Sequence, residues 1–172
     1  MGLDELIAKN KKTILKQWFD CVAESYARQT EAFLSREKDR FANPVAGTVT
    51  ESLEKVLDGI CQSADTETFK QALDGIIRVR AVQSFSPSES VAFIFLLKPI
   101  IRQLLEKNGA ADAKTLSRLD DTISGLALVG FDKYMECREK IYELRAFEIR
   151  NRTFKAFERA GLVRNEGPEP AL

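Results

Sequence analysis

Histidine is entirely absent from this sequence of 172 residues. Histidine is the usual axial ligand of haem, the commonest ligand of zinc and the commonest general base near neutral pH. The adjacent carboxylates Asp120 and Asp121 point about 100° apart on a helix, so they do not form a shared acid–base pair. We therefore predict no metal, no cofactor and no catalytic residue, and we expect that the chain is not an enzyme.

Cysteine is scarce and long apolar runs are missing. Cys21, Cys61 and Cys137 lie far apart and in no CxxC spacing, so we expect neither disulfides nor a thiolate zinc site. The most apolar run, residues 91–97, is too short to span a bilayer. The first ten residues lack the apolar core of a signal peptide. These absences predict a cytoplasmic protein without membrane insertion.

An excess of charge of one sign is also missing, because 26 basic residues balance 26 acidic ones. A balanced surface gives no overall attraction to nucleic acid or to anionic lipid. Residues 138–164 are locally basic, with eight Lys and Arg against four Glu. The acidic residues are interleaved with the basic ones, which is typical of a solvated helix face. We therefore predict no nucleic-acid partner.

Apolar residues recur at helical spacing along most of the chain, which predicts an all-α bundle of about five helices. The first helix is expected over residues 3–26, with Lys11 turned away from the core. The second opens at Asn43-Pro44, where asparagine caps and proline occupies the first turn. Residues 67–83 also alternate like a strand, but the sequence offers no second strand to pair with them, so we predict a helix.

The sequence Ser86-Pro87-Ser88-Glu89 is the clearest local signal, because it has the form of a helix-capping box. It opens a largely apolar helix that Pro99 should bend. The bend would free a backbone carbonyl, and nearby cations and aromatic rings could line a small-molecule pocket. The residues of this candidate ligand pocket are Arg78, Arg80, Phe93, Phe95, Lys98 and Pro99.

Residues 111–161 contain no proline and predict one long helix of about 70 Å, unless Gly125 or Gly130 breaks it. A compact chain of this length is only about 40 Å across. Exposed phenylalanines on such a charged rod indicate a contact surface. The predicted partner or dimer interface consists of Tyr134, Ile141, Leu144, Phe147, Phe154 and Phe157. We treat residues 1–164 as one domain, with a polar connector over residues 28–40 and a disordered tail over residues 165–172.

Several segments resemble the amino-terminal domain of the RsbT co-antagonist family, of the RsbRD type. They are Arg78 to Pro99 (RVRAVQSFSPSESVAFIFLLKP), Asn43-Pro44-Val45, Phe131-Asp132-Lys133-Tyr134, and CREKIYELR from Cys137 to Arg145. The resemblance covers most of the chain, from about Ile14 to Ile149. It implies an all-helical input domain, often dimeric, that precedes an effector domain; related stressosome input domains are similar to globins that have lost haem. A non-haem globin-like fold is therefore the alternative architecture.

The sequence ends shortly after the long helix, and we expect the effector to be a separate protein. We predict a stressosome-sensor-like regulatory domain that works through protein contacts and homodimerisation, with an effector partner in trans. A small-molecule sensor with its pocket beside Pro99 is the first alternative. A purely structural dimerisation scaffold is the second. The family offers no established catalytic residues, so none is assigned.

Overall fold

The structure, a computed structural model, describes residues 2–27, 44–83 and 85–162, with only the backbone at residues 26 and 27. The predicted connector at 28–40, the cap at Asn43 and the tail at 165–172 lie outside the described residues. Six helical segments and no strand are found in the described part of the chain. They are α1 (Leu3–Ala27), α2 (Pro44–Cys61), α3 (Thr66–Val82), α4 (Pro87–Phe95), α5 (Leu97–Lys107) and α6 (Ala113–Arg159).

The predicted all-α class is confirmed, and the helix count is five when α4 and α5 are taken together. The sequence predicted one helix bent at Pro99, but the interruption lies three residues earlier, at Leu96. Pro99 falls in the first turn of α5, where a backbone N–H has no partner within its own helix. The N–H of Leu96 bonds back to the Phe93 carbonyl at 3.3 Å.

Side-chain caps fix where three of the helices begin. Ser86 and Glu89 form the predicted capping box of α4, with the Ser86 N–H donating to Glu89 Oε2 at 2.8 Å. Asp65 accepts from the Thr68 N–H at 2.8 Å at the start of α3. Asp112 does the same for the Thr115 N–H at 2.9 Å before α6. Each cap satisfies a donor that the first helical turn would otherwise leave unpaired.

The apolar stripes of α1 to α5 meet the first half of α6 in one core. Trp18 is completely buried at its centre, and its ring stacks on that of Phe93 at 6.1 Å between centroids. The helix predicted over residues 67–83 is found as α3, which ends at Val82, and it buries Leu73, Ile76 and Ile77. Burial of the β-branched Ile76 and Ile77 explains why their presence did not require a strand.

Helix α6 runs unbroken through both of its glycines, which the sequence had left open. At Gly130 an added Cβ would lie 2.9 Å from Ile94 Cδ1, so this glycine permits close packing on α4. At Gly125 an added Cβ would contact nothing within 4 Å. The chain divides into two compact units, Met1–Cys137 and Arg138–Leu172. The boundary between the two units falls inside α6. A single domain over residues 1–164 stays a prediction.

Candidate functional site

The described part of the second unit, residues 138–162, is here called the C-terminal segment. From Tyr142 onward every residue of this segment is exposed. Its large apolar side chains are 49 to 71% exposed: Tyr142, Leu144, Phe147, Ile149, Phe154, Phe157 and Leu162. Soluble proteins rarely leave several large apolar side chains together in water, so such a set indicates a contact surface.

Four of the six predicted interface residues, Leu144, Phe147, Phe154 and Phe157, lie in this exposed set. Ile141 is half-buried. Tyr134 lies elsewhere, because it belongs to the first unit and only 4% of it is exposed. The sequence pattern missed Tyr142 and Ile149, which are 56% and 64% exposed. The seven-residue spacing between Tyr142 and Ile149 places them on the same side of the helix, and this signal could have identified them.

The side-chain contacts found within the C-terminal segment are local. Arg138 Nη2 donates to the Tyr142 hydroxyl at 2.8 Å, with its guanidinium 4.8 Å from that ring's centroid. Lys140 pairs with Glu143 at 3.2 Å, and Arg150 lies over the Phe147 ring at 5.7 Å. Pairs three or four residues apart support a helix weakly, so they do not cover its apolar side chains.

The first unit contains a second notable cluster, built around the buried guanidinium of Arg80. This α3 residue is 1% exposed and lies over two rings, 4.9 Å from the Phe93 centroid and 5.2 Å from that of Phe85. Its Nη1 donates to the Glu89 carbonyl at 2.7 Å, and its Nη2 donates to Ser25 Oγ at 3.2 Å. Hydrogen bonds and ring contacts of this kind are what allow a charge to be buried.

Three helices direct a side-chain donor to the chain between Phe85 and Phe93. Besides Arg80 from α3, Trp18 from α1 donates to the Phe93 carbonyl at 2.7 Å. Tyr134 from α6 donates to the Phe85 carbonyl at 2.6 Å. The Phe93 carbonyl lies where α4 ends, so Trp18 adds a second donor to a carbonyl that also accepts from the Leu96 N–H at 3.3 Å. These bonds fix α4 against its neighbours and make the cluster part of the core.

The candidate ligand-pocket residues do not come together as one site. Arg80 and Phe93 meet in the buried cluster, but the other residues point outward. Arg78 pairs with Asp74 on its own helix at 2.9 Å, and Lys98 pairs with Asp120 of α6 at 2.9 Å. Phe95 is 49% exposed, and Pro99 is exposed as well. A hydroxyl in the same region, Ser90 Oγ, is buried without a hydrogen-bond partner among the described residues.

A charge network joins α3 to α6 near the end of the first unit. Lys133 contacts Asp74 at 2.8 Å and Glu136 at 3.4 Å, and Lys70 contacts Glu136 at 2.9 Å. Burial acts to raise the pKa of Asp74, but hydrogen bonds from Lys133 and Arg78 outweigh it and leave the pKa lowered. The hydrogen bond from Lys70 is the main cause of a lowered pKa at Glu136. The hydrogen bond to Asp74 is the main reason that the pKa of Lys133 is raised.

A groove of about 540 Å³ lies between the α2–α3 turn and the first half of α6. Its apolar lining includes Ile60, Phe69 and Leu126, and the open position of Gly125 forms part of its wall. Arg118, on the rim, makes two contacts of 2.8 and 3.0 Å with the Asp4 carboxylate. Neither this groove nor any residue near Gly125 was part of the sequence-based pocket.

Within residues 2–27, 44–83 and 85–162, no group of three or more His, Cys, Asp or Glu residues is arranged to hold a metal ion. No helix there has both the length and the apolar character needed to cross a bilayer. The thiols of Cys61 and Cys137 have raised pKa values, chiefly because of burial. A raised pKa favours the unreactive thiol form over the thiolate.

These features define an all-α domain whose core closes around a buried arginine and whose last helix ends with several exposed large apolar side chains. Residues 12–148 match the family described as the RsbT co-antagonist protein rsbRD N-terminal domain. The chain belongs to that family. Membership indicates a stressosome-related regulatory domain. In comparisons with curated proteins and with solved structures, the chain has no match.

Proposed function

We propose that this regulatory domain acts by binding other proteins through the C-terminal segment. The observation that carries the proposal is the set of exposed apolar side chains from Tyr142 to Phe157, each at least 49% exposed. Covering such side chains stabilises a complex by about 25 cal/mol for each Å² of apolar surface that is removed from water. In contrast, the apolar side chains of the first unit's core are already covered by their own chain.

Photo-crosslinking from single positions tests this proposal in the full chain. A photoreactive amino acid at Ile149, which is 64% exposed, should give discrete crosslinked products in cells that produce the protein. The matched control is position 148, which is also exposed and lies about 100° around the same helix. Absence of products from Ile149, or equal products from both positions, would contradict the proposal.

The second part of the proposal is that the chain associates with a second copy of itself. It is based on the family resemblance, which implies a domain that is often dimeric. We expect a homodimer, with an effector protein in trans as the further partner and no chemistry catalysed by the domain itself. Light scattering coupled to size exclusion at tens of micromolar measures this directly. A monomer at that concentration would remove both the homodimer and the alternative of a purely structural dimerisation scaffold. The cytoplasmic location stays a prediction.

Small-molecule sensing is a second candidate, and the groove beside Gly125 favours it. Its volume, about 540 Å³, is within the usual range for ligand sites, and its rim carries the charged groups of Arg118 and Asp121. A thermal-shift screen against a metabolite panel should then give stabilising compounds whose effect Gly125→Leu abolishes. Ser124→Leu, at a neighbouring exposed position outside the groove lining, is the control. Uniformly flat responses would eliminate this candidate.

A further inference from the structure

Four arginines recur at every seventh position of the C-terminal segment: Arg138, Arg145, Arg152 and Arg159. Because α6 is continuous to Arg159, this spacing places them along one edge of the helix, about 10 Å apart. Arg145, Arg152 and Arg159 are exposed. The ion pairs found among the described residues include none of these three. We call the four residues the arginine row.

A stripe of apolar and small side chains runs beside the arginine row. Its members alternate at spacings of four and three residues: Tyr142, Ala146, Ile149, Thr153, Ala156 and Ala160. This interval is that of a coiled-coil seam, with the arginine row at one flanking edge of the seam. The opposite flanking edge is mixed, since it carries Glu143, Arg150 and Phe157. Small residues at Ala146, Ala156 and Ala160 leave room for the larger side chains of a facing helix.

The charges of the two edges disfavour a second copy of the same segment as the occupant of the stripe. In an antiparallel pair the same edges meet, so one arginine row would face another. In a parallel pair Arg145 would face Arg150 of the second copy, and Arg152 would face Phe157 of that copy. Only Arg138 would gain an acidic neighbour, Glu143. Like charges at flanking positions select against a pairing, and they therefore disfavour self-pairing along this stripe.

We propose that the stripe binds a helix of another protein that carries a carboxylate at every seventh position along the edge facing the arginine row. This inference rests on the proposed function and names the partner's chemistry. Arginine is suited to the facing edge because its guanidinium forms paired hydrogen bonds with a carboxylate. Three heptads of matched charges, over about 32 Å, fix both the register and the identity of the partner.

Three designed peptides of four heptads test the proposal against the full chain. All three have the same leucine and isoleucine seam, and they carry glutamate, glutamine or lysine at the flanking edge. Fluorescence anisotropy should give the tightest binding for the glutamate peptide and the weakest for the lysine peptide. The affinity for the glutamate peptide should fall as salt is added, because the contacts are exposed ion pairs.

Two double charge-reversal variants of the protein test whether the peptide contacts the arginine row. Arg145→Glu with Arg152→Glu should weaken binding of the glutamate peptide about tenfold and should strengthen binding of the lysine peptide. Lys140→Glu with Lys155→Glu changes the net charge equally but lies outside the arginine row, and we expect less than a twofold effect. All four positions are exposed, so circular dichroism should show the same helix content in every variant.

The outcomes separate this inference from the proposed function. Equal binding of the three peptides would overturn the acidic-partner inference but leave the C-terminal segment as a docking surface. Equal weakening by the two double variants would also overturn it, since the effect would then be one of net charge. Self-association that Ile149→Asp abolishes would assign the stripe to a second copy. No binding of any peptide, together with a monomeric chain and no crosslinks from Ile149, would contradict both.

Discussion

The two units of the chain treat their apolar and cationic side chains in opposite ways. In the first unit Trp18 and Arg80 are at most 1% exposed, and each donates hydrogen bonds to backbone carbonyls or hydroxyls of other helices. In the described part of the second unit, residues 138–162, phenylalanines and arginines are exposed to water, and the side-chain contacts found for them run along their own helix. The first unit is therefore stabilised by contacts between its own helices, and the exposed side chains of the second are the basis of the proposed binding surface.

Removing a large aromatic side chain from each unit should give the largest contrast in stability. Trp18→Ala should lower the free energy of unfolding by about 3–5 kcal/mol, because it creates a cavity and removes the shorter of the two hydrogen bonds found to the Phe93 carbonyl. Phe157→Ala, in the C-terminal segment, should change it by no more than about 0.5 kcal/mol. Urea denaturation of both variants measures the difference. A comparable loss in the two would mean that Phe157 is covered within its own chain.

Removing a single tyrosine hydroxyl from each unit should give a smaller difference in stability between the two variants. Tyr134→Phe leaves the Phe85 carbonyl with an unmade hydrogen bond in a buried position, which should cost about 1–3 kcal/mol. Tyr142→Phe removes an exposed hydroxyl that accepts from Arg138, and water can replace that contact. Thermal denaturation should therefore separate the two variants. Equal midpoints would show that Tyr134 does not anchor α6 in the core.

The two glycines of α6 allow a comparison within the first unit. Gly125→Ala should stabilise the chain by about 0.5–1 kcal/mol, because alanine favours the helix and its methyl group has open space. Gly130→Ala gains the same propensity but places its methyl group 2.9 Å from Ile94 Cδ1. We expect it to be about 1 kcal/mol less stable than Gly125→Ala in chemical denaturation. Equal stabilities would mean that Ile94 moves aside at no cost.

Acid should weaken the first unit through the charge network, which is the smallest effect predicted. The pKa values of Asp74 and Glu136 are lowered in the folded chain, so their contribution is complete above the pKa of the unfolded carboxyls. It is lost as the pH falls through about 4 toward the lower folded values. Because the groups are partly solvated, we expect no more than about 1 kcal/mol.

Replacing the Asp74 carboxylate by a neutral amide tests whether the charge network causes the acid sensitivity. Asp74→Asn should flatten the dependence of stability on pH below about pH 5 relative to the unaltered chain. Denaturation at several pH values gives the two slopes. If Asp74→Asn keeps the full slope, the acid sensitivity comes from other carboxylates.

Local signals in the sequence were sufficient to predict most of the helices. The capping box at Ser86 and the apolar spacing of α3 depend on neighbours within a few residues, so they could be recognised without tertiary information. The position of the interruption at Leu96 was missed, because proline changes the backbone in the preceding turn and the exact residue depends on packing. The long helix α6 was predicted, but its continuity at Gly125 and Gly130 was left open, because glycine permits both a bend and a close helix contact.

The sites were harder to predict, because they depend on contacts between residues distant in sequence. Lys11 was expected to face outward, but it pairs with Glu54 and Asp58 of α2 at 3.2 and 2.6 Å. Arg80 was placed in a ligand pocket as one of the cations near Pro99, but its guanidinium is buried against the rings of Phe85 and Phe93. The exposed phenylalanines were found from the sequence, since their seven-residue spacing on a charged helix is a local property.

Amide hydrogen exchange along α6 of the full chain tests the central claim most directly. We predict that amides of residues 142–159 exchange at least about tenfold faster than those of residues 119–134 in the dilute chain, because only the latter helix face is buried. Adding the glutamate peptide should slow exchange over residues 142–159 alone. Equally slow exchange of both stretches in the dilute, monomeric chain would contradict the account, because the apolar side chains of residues 142–159 would then already be covered.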